Sequence, residues 1–217
     1  MNFFIDTADI DEIRAAYEMG LVDGVTTNPT LIKKAGKDHE KTIREISALV
    51  PGPISVETLS ETAEGMLEEA REYVTWGNNI VIKIVMTAEG MKAVRALSEQ
   101  GVKTNVTVTF SPLQALVAAK AGATYISPFV GRLDDIGHVG MDVISQIRTI
   151  YDQYDFETQI LVASVRHLTH VLESALMGAD VVTVPGKVLM QMLNHPLTDK
   201  GIATFLQDAK QWQKEPA

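Results

Sequence analysis

The sequence contains no cysteine among its 217 residues. Disulfides, thiolate metal centres and a cysteine nucleophile are thereby excluded, and a reducing compartment suits such a chain. Long apolar runs are also missing. No stretch approaches the ~18 residues needed to span a bilayer, and the opening Met1 to Asp6 has neither a basic region nor the extended apolar core of a secretion signal. The expectation is a soluble, cytoplasmic protein with no membrane partner. Basic charge is scarce: 19 Lys and Arg stand against 28 Asp and Glu, for a net charge of −9. That balance argues against a nucleic-acid partner and requires any anionic ligand to be held by local groups. No Gly-x-Gly-x-x-Gly turn follows an apolar run, no P-loop occurs, and no Ser-His-Asp set can be assembled at the ends of such runs.

What is present is an alternation of short apolar runs with longer amphipathic stretches. Eight runs, at 3–6, 24–27, 54–58, 79–85, 103–110, 124–130, 159–165 and 180–185, are separated by segments with apolar residues at helical spacing, such as Ile10, Ile13 and Tyr17 or Met66, Ala70, Tyr73 and Val74. Repeated strand-helix units imply parallel strands with right-handed crossovers. The expected fold class is α/β, a closed parallel (β/α)8 TIM barrel with an additional C-terminal helix, in a single domain over 1–217. A doubly wound open sheet is the alternative. Helix starts are well signalled, as where Ser111, Pro112 and Gln114 supply a cap, a first-turn proline and a capping-box glutamine. A barrel needs only the helix over 187–193 after the eighth run, yet 201–213 puts Ile202, Phe205, Leu206, Ala209 and Trp212 on one face. This extra helix either folds back over its own barrel or docks on a neighbouring copy.

Chemistry in a barrel sits at the C-terminal strand ends, so polar residues there are the candidates. Lys83 lies in the fourth run with no charged residue within three positions on either side. A buried ammonium loses hydration that Ile and Val cannot replace, which favours the neutral, nucleophilic amine; alternatively the stem is buried and the head reaches a carboxylate. Asp6 ends the first run and is left free to face the mouth if Asp9, with Glu12, caps the first helix. Glu57 places a carboxylate in an apolar strand, which is costly unless it is solvated or paired. Asn28 precedes Pro29 and suits a helix cap as well as a ligand contact. Period-two geometry sends Asn105, Thr107 and Thr109 to one face and Val106 and Val108 to the other, suiting a strand that lines a wet pocket. Arg132 and Arg166, just past adjacent strands, form a plausible oxyanion site, with Gly186 and Lys187 as a rival. His167 and His170 make half a metal site with no third ligand at helical or strand spacing, and no metal or cofactor is expected.

The segments Phe4-Ile5-Asp6-Thr7-Ala8, Gly24-Val25-Thr26-Thr27-Asn28-Pro29-Thr30-Leu31, Ile82-Lys83-Ile84, Thr104-Asn105-Val106-Thr107, Ser127-Pro128-Phe129-Val130-Gly131-Arg132 and Ala163-Ser164-Val165-Arg166 together resemble the transaldolase family, in the short single-barrel subgroup that includes the fructose-6-phosphate aldolases. The resemblance covers essentially the whole chain. It implies transfer of a dihydroxyacetone unit between sugar phosphates through a Schiff base on Lys83. It further implies Asp6 as acid/base, Glu57 and Thr107 holding a catalytic water, Asn28, Asn105 and Ser127 on sugar hydroxyls, and Arg132, Ser164 and Arg166 on phosphate. The aldolases of this fold resemble one another in a tyrosine and a glutamine where this chain has Phe129 and Glu57, so the resemblance favours transaldolase. Related short transaldolases assemble as rings, often decamers, which implies a homo-oligomer. A phosphosugar isomerase or epimerase using Asp6 and Glu57 without a covalent intermediate, and a non-catalytic sugar-phosphate binding module, are the competing classes.

Overall fold

A computed structural model describes residues 1–36 and 38–212, with the Trp212 side chain outside that set. Eight strands, β1 Asn2–Asp6, β2 Gly24–Thr26, β3 Ile54–Glu57, β4 Ile80–Val85, β5 Thr104–Thr109, β6 Tyr125–Pro128, β7 Gln159–Val162 and β8 Val181–Val184, pair in parallel and in sequence order. The ring closes where β1 pairs with β8. Among the described residues the helices are α1 Ile10–Glu18, α2 Pro29–Ala35, α3 His39–Leu49, α4 Ala63–Tyr73, α5 Ala88–Glu99, α6 Pro112–Ala121, α7 Val130–Asp134, α8 Gly140–Gln153, α9 Leu168–Leu176, α10 Gly186–Gln191 and α11 Pro196–Trp212. The fold is the expected TIM barrel with its additional C-terminal helix. No helix of the described residues is long and apolar enough to cross a membrane.

The apolar runs serve two cores because successive strand residues face opposite ways. Ile5, Val25, Ile54, Ile82, Ile84, Val106 and Ile126 point outward and are buried under the helices. Phe4, Val81, Tyr125, Leu161, Ala163 and Val181 fill the barrel interior as a separate cluster, with Phe4 edge-on to Tyr125 at 6.1 Å between ring centroids. A polar layer rests on this apolar floor toward the C-terminal mouth: Asp6, Thr26, Ser55, Glu57, Lys83, Asn105, Ser127 and Thr183. Register joins much of it laterally, since Asp6 lies beside Thr26, and Glu57 beside Lys83, which lies beside Asn105.

Local signals fix the helix starts. Ser111 Oγ accepts from the Gln114 N–H at 3.2 Å while Gln114 Oε1 accepts from the Phe110 N–H at 2.8 Å, a reciprocal pair at the mouth of β5. Asp9 caps α1 by accepting from the Asp11 and Glu12 amides, which leaves Asp6 free, as its position suggested.

Two expectations change. Between Val106 and Thr109 the β5–β6 register shifts, and Val108 takes φ 58°. The irregularity breaks the period-two pattern, so Val108 lines the mouth beside Glu57 and Lys83 instead of facing the helices. A β-branched residue at positive φ is strained by about 1–3 kcal/mol, held here between two regular pairings. The second change concerns the extra helix. It begins at Pro196, five residues before the predicted start; its predicted end at Gln213 lies outside the described residues. No residue from Pro196 to Gln211 is buried, and Leu197, Ile202, Phe205 and Leu206 are 53–74 % exposed. It does not fold back over its own barrel.

Candidate active site

Lys83, the central residue of the polar layer, is only 5 % exposed. Its sequence neighbours Ile82 and Ile84 belong to the outer core, so the amine is not embedded in Ile and Val as the linear sequence suggests. It projects inward, where Nζ lies 3.1 Å from Glu57 Oε2 and donates to the Thr27 carbonyl at 3.0 Å. The paired reading of an isolated buried lysine is the one realised, and Glu57 is the partner that its own burial requires.

Asp6 faces the same cavity of about 120 Å³, which is bounded also by Thr26, Lys83, Ser127, Arg132 and Ser164. Burial raises the Asp6 pKa above the ordinary carboxylate range. The Lys83 charge and the hydrogen bond from Thr26 act to lower it, and Glu57 adds to the rise. Thr26 Oγ1 donates to Asp6 Oδ1 at 2.8 Å and lies 2.6 Å from Thr183 Oγ1. A hydroxyl carries one proton, so Thr183 must donate to Thr26 for Thr26 to donate to Asp6, and the two threonines form a directed chain ending on the carboxylate.

The remaining candidates divide. Asn28 both caps α2, accepting from the Leu31 N–H at 3.0 Å, and lines the mouth, so the two readings are compatible. Asn105 has both amide ends engaged, its Nδ2 donating to Ser55 Oγ at 3.1 Å and its Oδ1 accepting from Ser127 Oγ at 2.7 Å. It stands behind Ser127, which itself reaches the cavity. The Thr107 hydroxyl is buried and has no hydrogen-bond partner among the described residues. Phe129 packs edge-on to Phe110, and the Arg132 guanidinium lies 4.9 Å from the Phe129 ring centroid.

Arg132 and Ser164 share the cavity, whereas Arg166 is turned to the rim, its Nη2 2.7 Å from Asp135 Oδ2. Gly131 allows this: its N–H donates to the Ser164 carbonyl at 3.1 Å, and a side chain on it would collide with that carbonyl and with Arg166. At the rival site, the Glu12 carboxylate packs against Gly186 where α10 begins, leaving an acidic group where an anion would sit. A larger depression of about 480 Å³, lined by Pro51, Pro53, Gly77 and Lys103, lies at the strand starts, the opposite end from the polar layer.

Several of these residues escaped the linear reading. Thr26 and Thr183 are inward residues in strands otherwise free of obvious chemistry, and Thr183 stands alone among valines. Asp135 and the Thr27 carbonyl carry no local signal. Asp134 joins His167 and His170, its carboxylate and the two rings offering three donor atoms within 4.8 Å of one another; it sits on a different helix, which is why spacing could not find it.

Comparison with known proteins gives the family. The family described as Transaldolase/Fructose-6-phosphate aldolase matches residues 3–216. A protein of Geotalea daltonii named "Probable transaldolase" is 59 % identical over 216 residues, covering 100 % of both chains. Proteins of the same name from Aquifex aeolicus, 57 % identical over 100 % of this chain and 98 % of its own, and Maridesulfovibrio salexigens, 59 % identical over 99 % of each, are similar along their whole length. The chain belongs to the transaldolase/fructose-6-phosphate aldolase family of aldolase-type transferases.

Proposed function

We propose that the protein is a transaldolase that moves a dihydroxyacetone unit from a ketose phosphate, fructose 6-phosphate or sedoheptulose 7-phosphate, to an aldose phosphate, erythrose 4-phosphate or glyceraldehyde 3-phosphate, in the cytoplasmic non-oxidative pentose phosphate pathway. The observation that carries the reading is a buried lysine amine 3.1 Å from one carboxylate and sharing a cavity with a second. Lys83 passes a proton to Glu57, and the neutral amine attacks the C2 carbonyl of the donor. Loss of water gives an iminium. The Asp6 carboxylate then takes the C4 hydroxyl proton, the C3–C4 bonding pair flows to the iminium, and the aldose phosphate departs from the enamine. The enamine adds to the acceptor aldehyde, whose oxygen recovers the proton from Asp6, and water releases the new ketose phosphate. Glu57 and the Thr107 hydroxyl, which has no partner among the described residues, are suited to hold the water of dehydration and hydrolysis. Asn28 and Ser127 serve the sugar hydroxyls, with Asn105 setting the Ser127 hydroxyl, and Arg132, Ser164 and Arg166 serve the phosphate.

Borohydride reduction with fructose 6-phosphate, followed by peptide mapping, tests the reading: a covalent adduct on Lys83 is expected. Its absence would favour the isomerase or epimerase alternative, which forms no covalent intermediate.

The choice of transaldolase over aldolase rests on Phe129 and Glu57. Phe129 cannot deliver a proton, so the enamine survives to meet the acceptor. Phe129→Tyr places a hydroxyl near the enamine and is expected to raise cleavage of fructose 6-phosphate without acceptor, read as glyceraldehyde 3-phosphate released; an unaltered rate would count against this assignment.

The uncovered apolar side of α11 supports a homo-oligomer, a ring of the decameric kind that the family resemblance implies, with α11 docked on a neighbour. Removing the residues after Thr204 is expected to lower the mass measured by light scattering, and an unchanged mass would remove α11 from that role.

A further inference from the structure

The turn that carries Ser164 and Arg166 is tied from behind to α7, the helix that carries Arg132. His170 is 3 % exposed; its Nδ1 accepts the backbone N–H of Arg166 at 3.2 Å, and its Nε2 lies 2.8 Å from Asp134 Oδ2. Asp134 is anchored in turn, its Oδ1 accepting from the Gly140 N–H at 2.8 Å. Neutral imidazole has a single N–H. Because Nδ1 receives a hydrogen bond, the proton resides on Nε2 and is donated to Asp134. Burial favours this neutral ring, as does the tilted His167 ring 3.8 Å away between centroids, against the opposing pull of Asp134 and Glu173.

The same protonation argues against a cation at Asp134, His167 and His170. A metal on Nε2 would move the ring proton to Nδ1, where it would oppose the Arg166 N–H donor to donor. The cluster is a hydrogen-bonded tether in its chemistry.

The turn needs such a tether. Ser164 adopts φ 60°, a conformation a non-glycine residue holds only when its surroundings over-determine it. The Gly131 N–H fixes the Ser164 carbonyl and His170 fixes the Arg166 amide, so the two ends of the turn are set against one short helix. We propose that His170, seated on Asp134, is a positioning residue for the phosphate clamp, holding the 164–166 turn so that Ser164, Arg166 and the Arg132 of α7 meet one phosphate together. The proposal rests on the reading of those three residues as the clamp.

The test pairs calorimetric titration with inorganic phosphate and steady-state kinetics using fructose 6-phosphate or unphosphorylated fructose as donor. His170→Leu removes the acceptor for Arg166 N–H; His170→Asn retains one, since Asn Oδ1 occupies the position of Nδ1. The leucine variant is expected to weaken phosphate binding and raise KM for fructose 6-phosphate by about tenfold, the scale of one lost hydrogen bond to a buried donor, with kcat and the fructose reaction unaltered. The asparagine variant is expected to recover most of the loss. Equal losses with both donors, or unchanged phosphate affinity in folded His170→Leu, would overturn the proposal. Should His170→Leu fail to fold, Asp134→Asn decides in its place, since one amide oxygen cannot serve both Gly140 N–H and His170 Nε2–H; unchanged phosphate affinity there is equally fatal. Arg132→Ala and Arg166→Ala check the underlying clamp, and if neither weakens phosphate binding the proposal falls with it. Weakened phosphate binding in His170→Leu alongside a wild type that forms no Lys83 adduct would uphold the positioning role and sink the transaldolase reading alone.

Discussion

Replacing Lys83 by methionine is expected to eliminate the borohydride-trapped adduct and lower the transfer rate by at least about 10⁴-fold, the order found when a covalent nucleophile is removed. Among the described residues Lys83 is the one buried lysine, so no second amine is available within the barrel. Methionine is unbranched and only one heavy atom shorter, so it packs against the same walls and the rate loss reports chemistry more than collapse. Stability should fall as well. Without the ammonium, Glu57 loses the counter-charge 3.1 Å away and Asp6 the charge that offsets its burial, and the Thr27 carbonyl loses its donor, costs of about 1–3 kcal/mol. For a chain of this size that lowers Tm by about 2–4 °C per kcal/mol. Adding Glu57→Gln removes one of the stranded charges and should restore much of the Tm without restoring transfer. An adduct that persists in Lys83→Met, on any residue, would remove Lys83 from the centre of the mechanism.

How far the linear sequence carries depends on the range of the interaction. The barrel was legible because each parallel strand is buried on both faces and reads as an unbroken apolar run. Lys83, Glu57 and Asp6 were legible because a charge at the end or middle of such a run is costly and calls for a reason. Helix caps are four-residue matters, and Ser111 with Gln114 behaved as written. What spacing cannot encode is which inward residues meet across the ring. Thr26 and Thr183 are 157 positions apart, and nothing near either announces the other. The same holds for Asp134 and His170, and for Asp135 and Arg166, each pair joining two helices or a helix and a loop. Val108 fails for a different reason: alternation assumes regular pairing, and between Val106 and Thr109 β5 advances three residues while β6 advances only two, from Ile126 to Pro128. Lys83 illustrates both sides. Its burial was readable, but its apolar flanks belong to the opposite face of the sheet, and the groups that surround the amine come from β2 and β3.

Asp6→Asn is the second large effect, expected to reduce kcat by about 10²–10⁴-fold, the range of a general acid/base, while the adduct on Lys83 still forms. Asparagine fills the same volume and can accept from Thr26, but it cannot take the C4 hydroxyl proton, so the reaction stalls at the iminium and borohydride traps the donor sugar intact. Because burial holds the Asp6 pKa above the usual carboxylate range, the wild-type acid limb of kcat should lie above that range too. The hydrogen bond from Thr26 favours the charged form; Thr26→Val removes it and should move the limb to still higher pH. The sign for stability follows from the same shift. A carboxyl whose folded pKa is raised stabilises the fold while protonated, and that contribution is lost as pH rises through the folded value. At neutral pH the Asp6 carboxylate is therefore a liability to the fold, and Asp6→Asn should raise Tm there while slowing turnover, with the Tm difference narrowing as the pH is lowered. A variant that keeps turnover within about threefold of wild type, too little for a lost general base, would assign the proton transfer to another group, and Glu57, 3.1 Å from Lys83 Nζ, is the next to test.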